Sequence, residues 1–98
     1  MPKKRPLTRE ESATRHREIA HRAGRGELRL PEAIREIREA EGLTQAAFAE
    51  RLGLTRMQVL DLEKGRGNPK LETLQRICRP FGLEIGLVPE PGSVKNAE

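Results

Sequence analysis

The stretch "TQAAFAERLGLTRMQVLDLEKG", Thr44 to Gly65, leaves little choice of local fold. It holds two short runs with apolar side chains at helical spacing, joined through Gly53, Leu54 and Thr55. Two helices linked by so short a turn cross at about 90–120°, and that crossing makes steric demands. Only a small side chain fits where the axes approach, and Ala49 stands there. The turn needs a residue at ease with positive φ, which Gly53 supplies. Leu54 can plug the angle, while Phe48 and Leu52 on the first helix and Val59 and Leu62 on the second must face a shared interior. All seven positions carry the residue type this geometry requires, and a generic pair of helices would not need them.

The flanking sequence extends the pattern. In "RLPEAIREIREAEG", Ala33, Ile34, Ile37 and Ala40 share one face, which predicts a helix over 31–41 with Pro31 in its first turn and Gly42 just past its end. Thr44 and Thr55 are N-cap residues, so the central helices should span 45–52 and 56–64. A further helix, "LETLQRICR", is stopped by Pro80 and Gly82. Upstream, "TREE" at Thr8 to Glu11 reads as a capping box opening a helix that ends near Gly24. That leader helix offers only Ala13, Ile19, Ala20 and Ala23, too little apolar surface to dock firmly without a partner. In "LEIGLV", Leu83, Ile85 and Leu87 alternate with period two, which predicts a short strand. A lone strand must pair with a second copy, with another protein, or with residues 28–30.

The expected architecture is therefore all-α: a bundle of five helices, the first an N-terminal helical extension, with a short C-terminal β-strand used for pairing. Residues 1–30 form a basic, partly unstructured leader, 31–82 the central domain, 83–89 the dimerisation strand and 90–98 a disordered tail. A core of about 60 residues is marginal alone and often gains from dimerisation.

Composition excludes several function classes. Phe48 and Phe81 are the only aromatics besides the histidines, so stacking platforms for single strands or RNA loops are not expected. One cysteine, Cys78, rules out an internal disulfide, and beside Ile77 it reads as a small buried residue. His16 and His21, five residues apart, do not share a helical face, and no metal site or other cofactor is expected. No apolar run is long enough to span a membrane, and "MPKKRP" has no signal-peptide character, so the expected location is the cytoplasm. Residues 1–29 carry nine Lys/Arg against four Glu, whereas 30–98 hold ten against eleven acids. The basic leader could reach the minor groove or phosphates of DNA as an arm, or serve as a solubilising tail. No catalytic constellation is present in the sequence, so an enzyme is the least favoured reading.

The segment "GLTQAAFAERLGLTRMQVLDLEKGRGNPKLETLQRI" strongly resembles the Xre/Cro-type helix-turn-helix family of bacterial and phage regulators, a λ-repressor-like fold. The resemblance rests on "LTQ" opening the second helix, "LG" at the turn, "LEKG" closing the third and "NPKLETL" leading onward, and covers about residues 31–82. It implies that 55–64 is the recognition helix, lying in the major groove of double-stranded DNA. Base contacts would then come from Thr55, Arg56, Met57, Gln58 and Asp61. Arg56 can hold O6 and N7 of a guanine, Gln58 can bond a base or the backbone, and Met57 can lie against a thymine methyl. Asp61 can accept from a cytosine or orient Arg56. Leu60 departs from the family, which often carries a polar residue there. Gln45 matches the family's phosphate-clamping glutamine. Thr44, Lys64, Arg66, Asn68 and Lys70 complete the expected phosphate contacts, and segment 55–79 has six Lys/Arg against three acids.

"FGLEIGLVPE" is similar, over a short span, to the C-terminal strand of HipB-like antitoxins, which makes Leu83, Ile85 and Leu87 the expected dimerisation residues. The implied function is a dimeric repressor of its own operon reading a palindromic operator, bacterial and nucleoid-associated when bound. Two alternatives stand beside it. One is an antitoxin that also neutralises a toxin protein, with the leader folding on that toxin; the other is an adaptor using the motif only for protein contact.

Overall fold

The computed structural model describes residues 7–90, so the expectations for residues 1–6 and for the tail after Glu90 lie outside the described residues. Five α-helices follow in order: α1 (Arg9–Gly24), α2 (Glu32–Ala40), α3 (Gln45–Leu52), α4 (Arg56–Glu63) and α5 (Leu71–Cys78), then one 3-10 turn, Arg79–Phe81. α3 and α4 pack closely on each other, and α2 and α5 close the bundle around them. The core is built from Ile34, Ile37, Phe48, Ala49, Leu52, Val59, Leu62 and Ile77, with Phe81 sealing one end. Phe48 and Val59 are fully enclosed. Burying each such side chain contributes roughly 1.5–3 kcal/mol.

Local chemistry sets where each helix begins. Thr44 Oγ1 accepts from the Ala47 amide at 3.1 Å. Thr55 Oγ1 accepts from the Gln58 amide at 3.0 Å, while Gln58 Oε1 accepts from the Thr55 amide at 2.8 Å, a reciprocal capping box. α3 ends at Gly53, whose φ of +71° lets the Leu54 amide reach back to the Ala49 carbonyl at 2.8 Å. That closure sets the turn between α3 and α4. Arg76 of α5 donates to the Leu52 and Arg51 carbonyls, both at 3.1 Å, and places a cation at the negative end of α3. α2 starts at Glu32, with Pro31 at its cap rather than inside its first turn.

Two expectations are corrected. The leader helix docks within the chain. It starts from the expected Thr8–Glu11 capping box, with both bonds at 3.0 Å, and lies across α2 with Ile19 buried. Polar anchors supply what its apolar surface lacks. Arg15 donates to the Glu39 carbonyl at 2.7 Å, Arg22 pairs with Glu36, and the His16 ring stacks on Phe81 at 4.2 Å between centroids.

The second correction is the strand over 83–89: the described residues contain none, and Leu83 to Glu90 follow the 3-10 turn without regular structure. The segment instead lies along an apolar groove, with Leu83 and Ile85 half-buried and Arg29 Nη1 donating to the Pro89 carbonyl at 3.2 Å. Alternation marked Leu83 and Ile85, which rest on the groove, but also Leu87, which is fully exposed; it did not require a ladder partner. Among the described residues no helix is long and apolar enough to cross a membrane.

Candidate nucleic-acid interface

α4 divides its residues by burial. Val59 and Leu62 are buried, Leu60 and Asp61 are half-buried, and Thr55, Arg56, Met57 and Gln58 are exposed. Met57 shows 62% of its surface, a large apolar side chain at the open end of a helix. Gln58 has a second task. Its Oε1 completes the Thr55 capping box, so its amide N–H groups remain as donors. The Thr-x-x-Gln spacing is visible in the sequence, and the capping box is the signal that reading the caps alone passed over. Asp61 makes no ion pair with Arg56 among the described residues; its carbonyl accepts from the Arg66 amide at 2.8 Å, which draws the following loop against α4.

Beneath this face lies a buried polar network that sequence reasoning missed. The Arg38 and Glu63 side chains are 7% and 5% exposed and paired at 2.5 Å through Nε and Oε2. Arg38 Nη2 reaches Glu63 Oε1 at 3.3 Å, and Arg38 Nη1 donates to the Leu43 carbonyl at 2.8 Å. Gln45 Nε2 donates to Glu63 Oε1 at 3.2 Å. Four segments meet here: α2, the α2–α3 turn, the start of α3 and the end of α4. The carboxylate of Glu63 sits at the negative end of α4, where the Arg38 guanidinium compensates it. The signal for Arg38 was its place in α2, four residues after Ile34 on the buried face.

The expected phosphate residues fall into two groups. Thr44 and Gln45 stand at the start of α3, tied by Gln45 to the far end of α4 beside Lys64. Thr44 keeps its hydroxyl hydrogen free, since the oxygen accepts from Ala47. Arg66, Asn68 and Lys70 line a cleft of about 480 Å³ together with Gln58 and Asp61. Among the described residues Arg56, Lys64, Arg66 and Lys70 are exposed and make no ion pair. Arg22, Arg25, Arg35, Arg38 and Arg51, by contrast, each hold a carboxylate. Arg56 at the start of α4, Lys64 at its end, and Arg66 and Lys70 in the loop after it are thus left uncompensated, as Arg9, Arg17 and Arg79 are elsewhere among the described residues.

The expected dimerisation residues lie apart from this face. Leu83, Ile85 and Leu87 line the apolar groove with Leu28, Leu30 and α2 and α5 side chains. Leu87 is fully exposed, and Val88 and Leu30 are 53% and 50% exposed. Cys78 is buried, and that burial pushes its thiol pKa up, as a packing residue requires.

Comparison with known proteins agrees with this geometry. The profile of the Helix-turn-helix family matches residues 34–88. An uncharacterised HTH-type transcriptional regulator of Methanothermobacter thermautotrophicus is 51% identical over 51 residues, covering 52% of this chain and 74% of that protein. The immunity repressor protein of Bacillus phage phi105 is 33% identical over 61 residues, 62% of this chain and 42% of the repressor. The regulator DdrOP3 of Deinococcus deserti is 36% identical over 58 residues, 59% of this chain and 45% of that protein. The chain thus spans less than half the length of these last two relatives. No solved structure matches. With an α3–turn–α4 pair of the required form and a match over more than half its length, this chain belongs to the Xre/Cro-type helix-turn-helix family of DNA-binding proteins.

Proposed function

We propose that this protein is a dimeric transcriptional repressor that reads a palindromic operator of its own operon with α4 in the major groove. The observation that carries the reading is the exposed start of α4, where Arg56, Met57 and Gln58 stand clear of the core between uncompensated cations. A groove-binding helix presents its N-terminal residues to base edges. Arg56 takes a guanine, Met57 a thymine methyl, and Gln58 a base or phosphate oxygen with the donors its cap leaves free. Thr55 and Asp61 complete the base contacts. Thr44 and Gln45 on one side, and Lys64, Arg66, Asn68 and Lys70 on the other, hold the two phosphate walls and set the register.

One such module buries too little surface for strong specificity, so a second copy is part of the reading. Leu83, Ile85 and Leu87, with exposed Leu30 and Val88 beside them, offer the apolar face for a two-fold contact. For the antitoxin alternative, one of its supports is weaker: the leader helix that was to fold on a toxin is docked on α2.

Selection of bound duplexes from a random-sequence pool tests the proposal. The enriched motif should be an inverted repeat with half-site centres about one helical turn, roughly 10 base pairs, apart. A pool that stays random through repeated rounds would contradict sequence-specific reading, and a single unrepeated half-site would contradict the dimer.

A further inference from the structure

Gln45 opens α3 half-buried, and one of its amide hydrogens is engaged inside the molecule, where Nε2 donates to Glu63 Oε1 at 3.2 Å. A carboxylate can only accept, so this bond decides which way round the amide sits. The nitrogen faces Glu63 and the carbonyl oxygen is turned from it. The Glu63 side chain is only 5% exposed, so the bond runs inward. The second amide hydrogen is left on the outer side, with no acceptor among the described residues.

Glu63 is itself held from behind. Arg38 Nε meets Glu63 Oε2 at 2.5 Å, Nη2 reaches Oε1 at 3.3 Å, and Nη1 donates to the Leu43 carbonyl just ahead of the α3 cap. Arg38 alone therefore gives both carboxylate oxygens a donor. The bond to Gln45 is not needed to satisfy the buried charges; what it fixes is the Gln45 side chain. Arg38 also removes a conflict. An uncompensated carboxylate 3.2 Å from the Gln45 nitrogen would repel a phosphate at a helix start whose backbone amides otherwise favour an anion. A neutralised carboxylate holds the donor without that repulsion. A side chain ordered before binding also avoids the loss of freedom that a loose glutamine would suffer at the interface.

We propose that Glu63, held and neutralised by Arg38, is a positioning residue for the phosphate contact of Gln45, fixing the amide in the free protein with one hydrogen presented to the DNA backbone. The inference rests on the DNA-reading role of α4 proposed above.

The test is a double-mutant cycle on the full chain. Gln45→Ala and the paired replacement Arg38→Met/Glu63→Leu, separately and combined, are titrated against the selected duplex and a random duplex of equal length. Gln45→Ala should weaken binding to both by about tenfold per protomer, the size of one hydrogen bond to a charged group. In the Arg38→Met/Glu63→Leu background the same substitution should cost less than about threefold, because the two sites are coupled. Base preference should stay that of wild type throughout, since phosphate contacts carry no sequence information. An equal cost in both backgrounds, or no cost in wild type, overturns the positioning role and leaves the α4 reading intact. Wild-type protein that binds neither duplex overturns both. A second readout needs no folded variant of the pair: the NMR order parameter of the Gln45 side-chain amide in free wild type. It should approach that of rigid backbone, about 0.85, and a value under about 0.6 overturns the role.

Discussion

Burying a charge costs several kilocalories per mole unless a partner offsets it, and Arg38 and Glu63 are both almost wholly removed from solvent. Their pairing, with the Leu43 carbonyl and the Gln45 amide, satisfies each group and joins the start of α3 to the end of α4. Glu63→Gln should strand the guanidinium without a counter-charge and cost about 3–5 kcal/mol, read by denaturant titration. The double variant Arg38→Met/Glu63→Leu should recover most of that stability, because no buried charge remains. A single-variant cost well under about 1 kcal/mol would show the pair to be solvated and the network unimportant. Single residues whose type answers a backbone need were legible beforehand: Thr8, Thr44 and Thr55 as caps, Gly42 and Gly53 at positive φ. The ion pair was not, since Arg38 and Glu63 lie 25 residues apart. Periodicity weighs apolar positions, and nothing local announces that two charged ones meet.

At the scale of elements, the starts of α1, α3 and α4 carry their own cap signals, and for α4 the signal involves two residues of the proposed site. Thr55 caps α4 through a bond that Gln58 returns, so helix stability and the position of the exposed Gln58 side chain, proposed above to face DNA, share one pair of hydrogen bonds. Thr55→Ala should cost about 1 kcal/mol of stability. It should also weaken DNA binding beyond what the smaller folded fraction explains, as Gln58 loses its fixed rotamer. Melting curves and binding titrations on the same samples separate the two; binding that falls only with the folded fraction would remove Gln58 from the interface. The five helices lay where spacing and caps placed them, with boundaries shifted by a residue or so. Two elements were misread for physical reasons. The leader helix docks by Arg15, Arg22 and His16, whose contribution a count of apolar side chains does not register. In residues 83–88 only Leu83 and Ile85 rest on the groove while Leu87 is fully exposed, and alternation alone does not distinguish such a segment from a ladder.

At the scale of the whole molecule, four uncompensated cations gather on α4 and the loop after it, although Arg9, Arg17 and Arg79 elsewhere also hold no carboxylate among the described residues. Arginines on α2 and at the end of α3 are neutralised by Glu39, Glu41 and Glu63, while among the described residues Arg56, Lys64, Arg66 and Lys70 around α4 face solvent without a paired carboxylate. Net charge alone is weak evidence for nucleic-acid binding, because +4 on 98 residues fits many functions. The local arrangement is more specific, as it coincides with the exposed start of a helix set on its neighbour by Gly53 and Leu54. The apolar groove with Leu87 and Val88 is lined by other residues than the α4 face, as the proposed two-fold assembly would require. The most direct test of the central claim is the affinity of wild type and Arg56→Ala for the selected duplex and for its single-base variants. The account predicts a weakening of about 1–3 kcal/mol on the selected duplex, confined to one base pair at which the variant no longer discriminates. Equal affinity and an unchanged base preference would show that α4 does not read DNA.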